Sequence, residues 1–281
     1  MQKNLHLLVD RWRKVQKNLH MDHKLHLAAL AATALLLSHC TTAYDRASPA
    51  PPPAAAGTSR YHSEVAERPG LGTQLGQEIH RNVADTTKFY RKAATTPDAV
   101  ATFHYNDAEG AKLMAEMSGH AVRRSGTFDL VPGKLRVALA SYYGDDPYDH
   151  YWSGGKAFVI GQPGQAYEIK LENLTKARME VVVSIDGLDV LDGQAASIRK
   201  RGYVIPAKTT VLIEGMRVGG KLKNLLFATV ARSRAATAFG ESGARNVGVI
   251  GVACYEEDEA ARRRARVEET YVRGDARAFG Q

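Results

Sequence analysis

The chain has 281 residues, a formal net charge of +8 and two cysteines, Cys40 and Cys254. This length suits one folded domain with appendages, and so few cysteines exclude a disulfide-stapled scaffold. Residues 1–39 hold six basic against two acidic residues, so half of the excess charge precedes Cys40, and no nucleic-acid partner is expected.

The first twenty residues contain a repeat: Gln2, Lys3, Asn4, Leu5 and His6 recur as Gln16, Lys17, Asn18, Leu19 and His20. Met21 then opens a conventional leader, so residues 1–20 read as an upstream start-site artefact. The alternative is a basic amphipathic segment on anionic lipid, with Leu5, Leu8, Trp12 and Val15 near helical spacing. After Lys24 an apolar run, Leu27 to Leu37, leads into Ser38, His39 and Cys40. A positive start, a short apolar core and a small-residue exit form a secretory signal, and the core is too short to span a bilayer comfortably. Cysteine at the exit marks Cys40 for lipidation, which makes the membrane a partner through that lipid. His39 stands where Gly or Ala is expected, so a soluble periplasmic product and an uncleaved anchor stay open. Thr41 in place of Asp directs a lipidated product to the outer membrane, by resemblance to other lipoproteins; without lipidation the location is the periplasm.

A tether follows within residues 40–70, where Pro49, Pro51, Pro52 and Pro53 sit among alanines. Such composition has little to bury and favours an extended, disordered linker. Leu75, Ile79 and Val83 then fall on one helical face, which predicts a helix over residues 71–95. Ala99 to Tyr105 reads as a short strand. Asn106 and Asp107 cap a predicted helix carrying Leu113, Met114 and Met117 and stopped at Gly119.

From Thr127 the period shifts toward two. Thr127–Val131 and Lys134–Tyr143 are predicted strands joined by the Pro132, Gly133 turn, and Lys156–Ile160 is followed by a turn at Gln162, Pro163 and Gly164. In 166–172, Tyr167, Ile169 and Leu171 alternate with Glu168, Lys170 and Glu172, the pattern of a half-buried strand. Further strands are predicted at Met179–Ile185, Leu188–Leu191, Gly202–Ile205, Thr209–Ile213, Asn224–Val230 and Asn246–Tyr255, with turns at Asp186, Gly187 and Asp192, Gly193. The expected fold is mainly β: an antiparallel β-sandwich-like domain with a few peripheral helices, after the signal and linker. It divides into a signal region (1–39), tether (40–70), mixed helix and strand segment (71–155), core (156–256) and charged helical tail (257–281). Acidic residues 256–259 ahead of Arg262, Arg263, Arg264 and Arg266 favour a solvated helix over a polyanion patch.

Tyr167–Thr175, Val182–Val190, Gly202–Pro206 and Asn246–Ala253 resemble, in order and spacing, a family of uncharacterised proteobacterial envelope proteins. The resemblance covers roughly residues 160–256, implies a β-rich fold and carries over no activity; Cys254 and Tyr255 depart from its pattern.

One cluster carries enough chemistry for a site. Asp145, Asp146, Asp149 and His150 offer oxygen and imidazole ligands, although their spacing matches no EF-hand. Tyr148, Tyr151 and Trp152 make the same stretch a candidate recognition loop. Cys254 shares a predicted strand face with Ile250 and Val252 and reads as a buried thiol rather than a nucleophile. His62, His80, His104 and His120 lack metal spacing, and Gly215–Gly220 is not a phosphate loop. No cofactor and no catalytic residue are expected. The expected function is a lipid-anchored envelope protein, non-enzymatic, binding an envelope protein partner or serving structurally. A metal-dependent or hydrolytic enzyme using residues 144–152, and a surface adhesin or ligand-binding module, are the alternatives.

Overall fold

The computed structural model describes residues 65–80, 87–144 and 146–274. The signal region, Cys40 and nearly all of the tether lie outside the described residues, as does Asp145. In chain order the elements are β1 (Leu71–Glu78), β2 (Ala99–Asn106), α1 (Ala108–Met117), β3 (Val122–Arg124), β4 (Phe128–Val131), β5 (Leu135–Ser141), β6 (His150–Ser153) and β7 (Lys156–Ile160). There follow β8 (Ala166–Asn173), β9 (Met179–Ile185), β10 (Leu188–Asp189), β11 (Tyr203–Ile205), β12 (Thr210–Ile213), β13 (Gly215–Val218), β14 (Lys221–Thr229), α2 (Arg234–Ala244), β15 (Val249–Glu256) and α3 (Glu259–Gly274).

The strands form two sheets. One runs β1-β14-β8-β5-β4, with β12 beside β8 and β13 beside β14; the other runs β10-β9-β15-β2-β7-β6-β3, with β11 beside β9. The β2–β7 pair is parallel, His104 standing opposite Phe158. Both sheets contribute to one core: Val137, Leu139, Ile169 and Leu171 from the first meet Phe103, Val183, Ile250 and Val252 from the second. The mainly β, sandwich-like fold with peripheral helices is therefore present.

Alternation explains the register. Tyr167, Ile169 and Leu171 point inward from β8, as do Ile250, Val252 and Cys254 from β15. Two features go beyond simple alternation. Glu168 is buried although it occupies the solvent-face phase of β8. The other face of β15 is covered as well, Ala253 and Tyr255 packing with Val182 and Phe89. The segment around Arg91 lies over that face: Arg91 bonds Glu180 at 2.6 Å and stacks 3.6 Å above the Tyr255 ring. Asp186 and Gly187 both take positive φ, 54° and 79°, and join β9 to β10 in a two-residue turn. That conformation matches the twist of the flanking strands and is open to Asp and Gly at little cost. Gly219 and Gly220 do the same between β13 and β14.

The helix expected over residues 71–95 is corrected where the residues are described, 81–86 lying outside them: Leu71–Glu78 is β1, paired antiparallel with β14 from Leu71↔Thr229 to Leu75↔Leu225. The helical spacing of Leu75, Ile79 and Val83 misled, because Gly70, Gly72 and Gly76 weaken any helix there. A Cβ on Gly72 would sit 2.6 Å from Ser233 Cβ and Val247 Cγ1, so this glycine lets β1 approach α2. The helix capped at Asp107 is present as α1, with the Asp107 carboxylate accepting from Gly110 N at 2.7 Å. Its packed face is built from Ala111 and Ala115, with Met114 against them, while Leu113 and Met117 are exposed. Strands β3, β6 and β13 and helix α2 have no counterpart among the predicted elements. The charged tail forms α3, none of whose residues is buried. Among the described residues no helix is long and apolar enough to cross a membrane.

Candidate functional site

The 144–152 stretch does not remain a loop throughout: His150 opens β6, which pairs with β3 and β7. Its residues diverge. Asp146 is exposed. Asp149 accepts from Arg123 Nη2 at 2.8 Å and Ser125 Oγ at 2.6 Å, and these bonds hold its carboxyl below the usual range. His150 is 0 % exposed, packs 5.0 Å from the Phe128 ring, and neither ring nitrogen has a hydrogen-bond partner. Burial, with Arg124 nearby, lowers its pKa to about 4. Tyr151 leans on the α1 cluster and Trp152 on the main core, with Arg124 5.5 Å from its ring. Among the described residues no group of three His, Cys, Asp or Glu is placed to hold a metal. Cys254 is buried and its thiol is pushed up to about 12 by desolvation, which withholds the thiolate that a nucleophile needs.

The chemistry that does converge lies at the end of the sandwich where β1 meets the second sheet. Thr73 on β1 bonds through Oγ1 to the Tyr105 hydroxyl at 2.7 Å and the Tyr167 hydroxyl at 2.6 Å. Tyr105 OH donates to Asp186 Oδ1 at 2.6 Å, Gly248 N donates to the same oxygen at 2.9 Å, and Thr73 N donates to Oδ2 at 2.8 Å. Two residues come from each sheet, so the network ties the sheets together. Burial outweighs these donors and raises the Asp186 carboxyl to about 6; both tyrosines are raised by the same desolvation. A buried carboxylate without a cation is costly, and three donors offset part of that cost.

Beside this network a cleft of about 360 Å³ opens between the start of β1, α1 and the end of α2. Arg68, Asn106, Met114, Val230, Arg245 and Val247 shape it, and among the described residues no Asp or Glu lines it. Asn106 sits just ahead of the Asp107 cap. Its Oδ1 accepts from Leu71 N at 3.0 Å and Asp107 N at 2.9 Å, which fixes the amide so that Nδ2 is left with only a 3.6 Å contact to Met114 Sδ. Arg68 donates to Ala244 O at the end of α2, and Arg245 is the exposed C-cap of that helix. Nothing in the sequence marks Arg68, Asn106 and Arg245 as neighbours; only the meeting of β1, β2 and α2 does. No family model, curated protein or solved structure matches the chain.

Proposed function

We propose that this is a lipid-anchored, non-enzymatic domain of the bacterial cell envelope, displayed at the outer membrane, that binds another envelope component. The observation that carries the reading is the run from Lys24 through the apolar core to Cys40, followed by a proline-rich stretch and then a folded domain. A lipid on Cys40 supplies one attachment signal, and the tether gives the domain reach from the surface. The inward placement of His150 and Cys254 supports binding rather than catalysis, since both reactive groups are spent in the core. The short, charged edge strand β3 supports recognition by loops and clefts rather than by strand addition there: it has three residues, of which Arg123 and Arg124 are two.

The test is acyl labelling and fractionation of Cys40→Ala, together with crosslinking pull-down from intact envelopes. Loss of label and release from membranes, with a specific crosslinked protein in the native chain, is the expected result. Unchanged membrane association of Cys40→Ala refutes lipid anchoring.

A further inference from the structure

The cleft beside β1 is furnished with donors, and among the described residues no carboxylate lines it. Arginine carries only donors and keeps its charge, and Asn106, whose Oδ1 is taken by Leu71 N and Asp107 N, has an NH₂ with one weak sulfur partner. Arg245 has no ion pair or side-chain hydrogen bond among the described residues. The carbonyl end of α2, which would repel an anion, is already answered: Arg68 takes Ala244 O, and Arg245 N and Asn246 N take Gly243 O. The carboxylate attached from behind, Asp186, is fully buried and engaged by Tyr105, Thr73 and Gly248. Glu67, next to Arg68 in sequence, accepts from Thr229 Oγ1 at 3.0 Å. Met114, Val230 and Val247 add apolar wall. Gly70, at φ +124°, leaves the mouth free of a side chain beside Asn106.

We propose that this cleft binds a carboxylate bearing a short apolar group, with Arg68 and Arg245 pairing the carboxylate and Met114, Val230 and Val247 holding the apolar part. The volume lies at the small end of ligand sites and suits a few heavy atoms beyond the carboxylate. Guanidinium–carboxylate bonds are charge-assisted and directional, which favours this ion over a neutral group of similar shape. The same chemistry occurs in a free short-chain carboxylic acid and in the C-terminal residue of an apolar peptide. The inference stands whether or not the protein is lipid-anchored.

The experiment is calorimetric titration of the full chain in detergent with three probes: isovalerate, the tripeptide Ala-Ala-Val as its free acid, and the same peptide as its amide. Saturable binding of at least one acid, with the amide bound at least about tenfold more weakly, is expected, because a charge-assisted bond is lost. Equal affinity for isovalerate and the acid peptide identifies a free carboxylic acid as the ligand class; tighter binding of the peptide identifies a chain terminus. Arg245→Gln and Arg68→Gln each weaken acid binding by about tenfold on the same grounds. Equal binding of acid and amide, inorganic phosphate binding as tightly as either acid, or no saturable binding at millimolar concentration overturns the proposal, and the acid–amide comparison needs no variant to fold.

Discussion

Two buried titratable groups oppose each other in the acid range, and removing one exposes the other. His150 is 0 % exposed and its folded pKa is lowered from 6.5 to about 4. Between those values the unfolded chain binds the proton and the folded chain does not, so stability present above pH 6.5 is lost as pH falls toward 4. The shift corresponds to roughly 3 kcal/mol. Asp186 acts in the reverse sense: its folded pKa is raised from 3.8 to about 6, so its contribution is fully present below 3.8 and is lost as pH rises through 6. That too is roughly 3 kcal/mol, so the two terms nearly cancel between pH 4 and 6.5 in the native chain.

His150→Leu breaks the cancellation. It removes two unpartnered ring nitrogens and sacrifices the ring contact with Phe128, so its effect at pH 7.5 is small. Its signature lies in the pH dependence. The assay is urea unfolding of the full chain and the variant at several pH values from 7.5 to 4. The variant should gain on the native chain by roughly 3 kcal/mol over that range, while the carboxylates common to both proteins drop out of the difference. Parallel curves would refute the reasoning, as would a His150 imidazole that titrates near 6.5 by NMR in the folded protein.

Two further substitutions test the packing. Ile250→Asp places a charge at a fully buried position between the sheets and should cost several kcal/mol, about enough to unfold a marginal domain, whereas Glu172→Lys loses only a partly exposed 3.2 Å pair with Arg136 and should cost less than about 1 kcal/mol. Thermal melting of both variants checks the register, and equal tolerance would show it to be wrong. Gly202→Ala would put a Cβ 2.3 Å from Val181 O, a backbone atom of the paired strand, so the β11–β9 edge must open at a cost of about 1–3 kcal/mol. Retention of the native denaturation midpoint in that variant would disprove the close approach.

The central strands were legible because their side chains report burial directly. In β8 and β15 the inward run Tyr167, Ile169, Leu171 and Ile250, Val252, Cys254 is apolar or aromatic, and the Asp186, Gly187 turn carries its own backbone chemistry. The helix at Ala108 was legible from its cap. β6 was hidden because His150 and Ser153, both polar by type, are both buried. β1 was misread because chance helical spacing competed with pairing to β14, a partner about 150 residues away that no local pattern reveals. The same holds for the polar network: Asp186 shows as a turn residue, while its carboxylate serves Thr73, 113 positions earlier. The cleft depends on three elements meeting and has no local signature at all.

The handling of the β1 edge bears on how this domain would meet the proposed partner. An edge strand with free N–H groups invites another strand. Here Leu71 N is taken by Asn106 Oδ1 and Thr73 N by Asp186 Oδ2, both reaching across from the second sheet. The first half of β1 is thus closed by side chains, and adding a strand there would break the Leu71 bond to Asn106 and the Thr73 bond that helps to stabilise the buried Asp186 carboxylate. The edge at β3 is short and doubly charged. What the closure leaves is the cleft, which the same Asn106 lines together with Arg68 and Arg245. Asn106 both seals the edge and lines the cleft, so a substitution that removes its amide should weaken the fold and the proposed carboxylate site together. Arg245, exposed at the end of α2, separates the two roles.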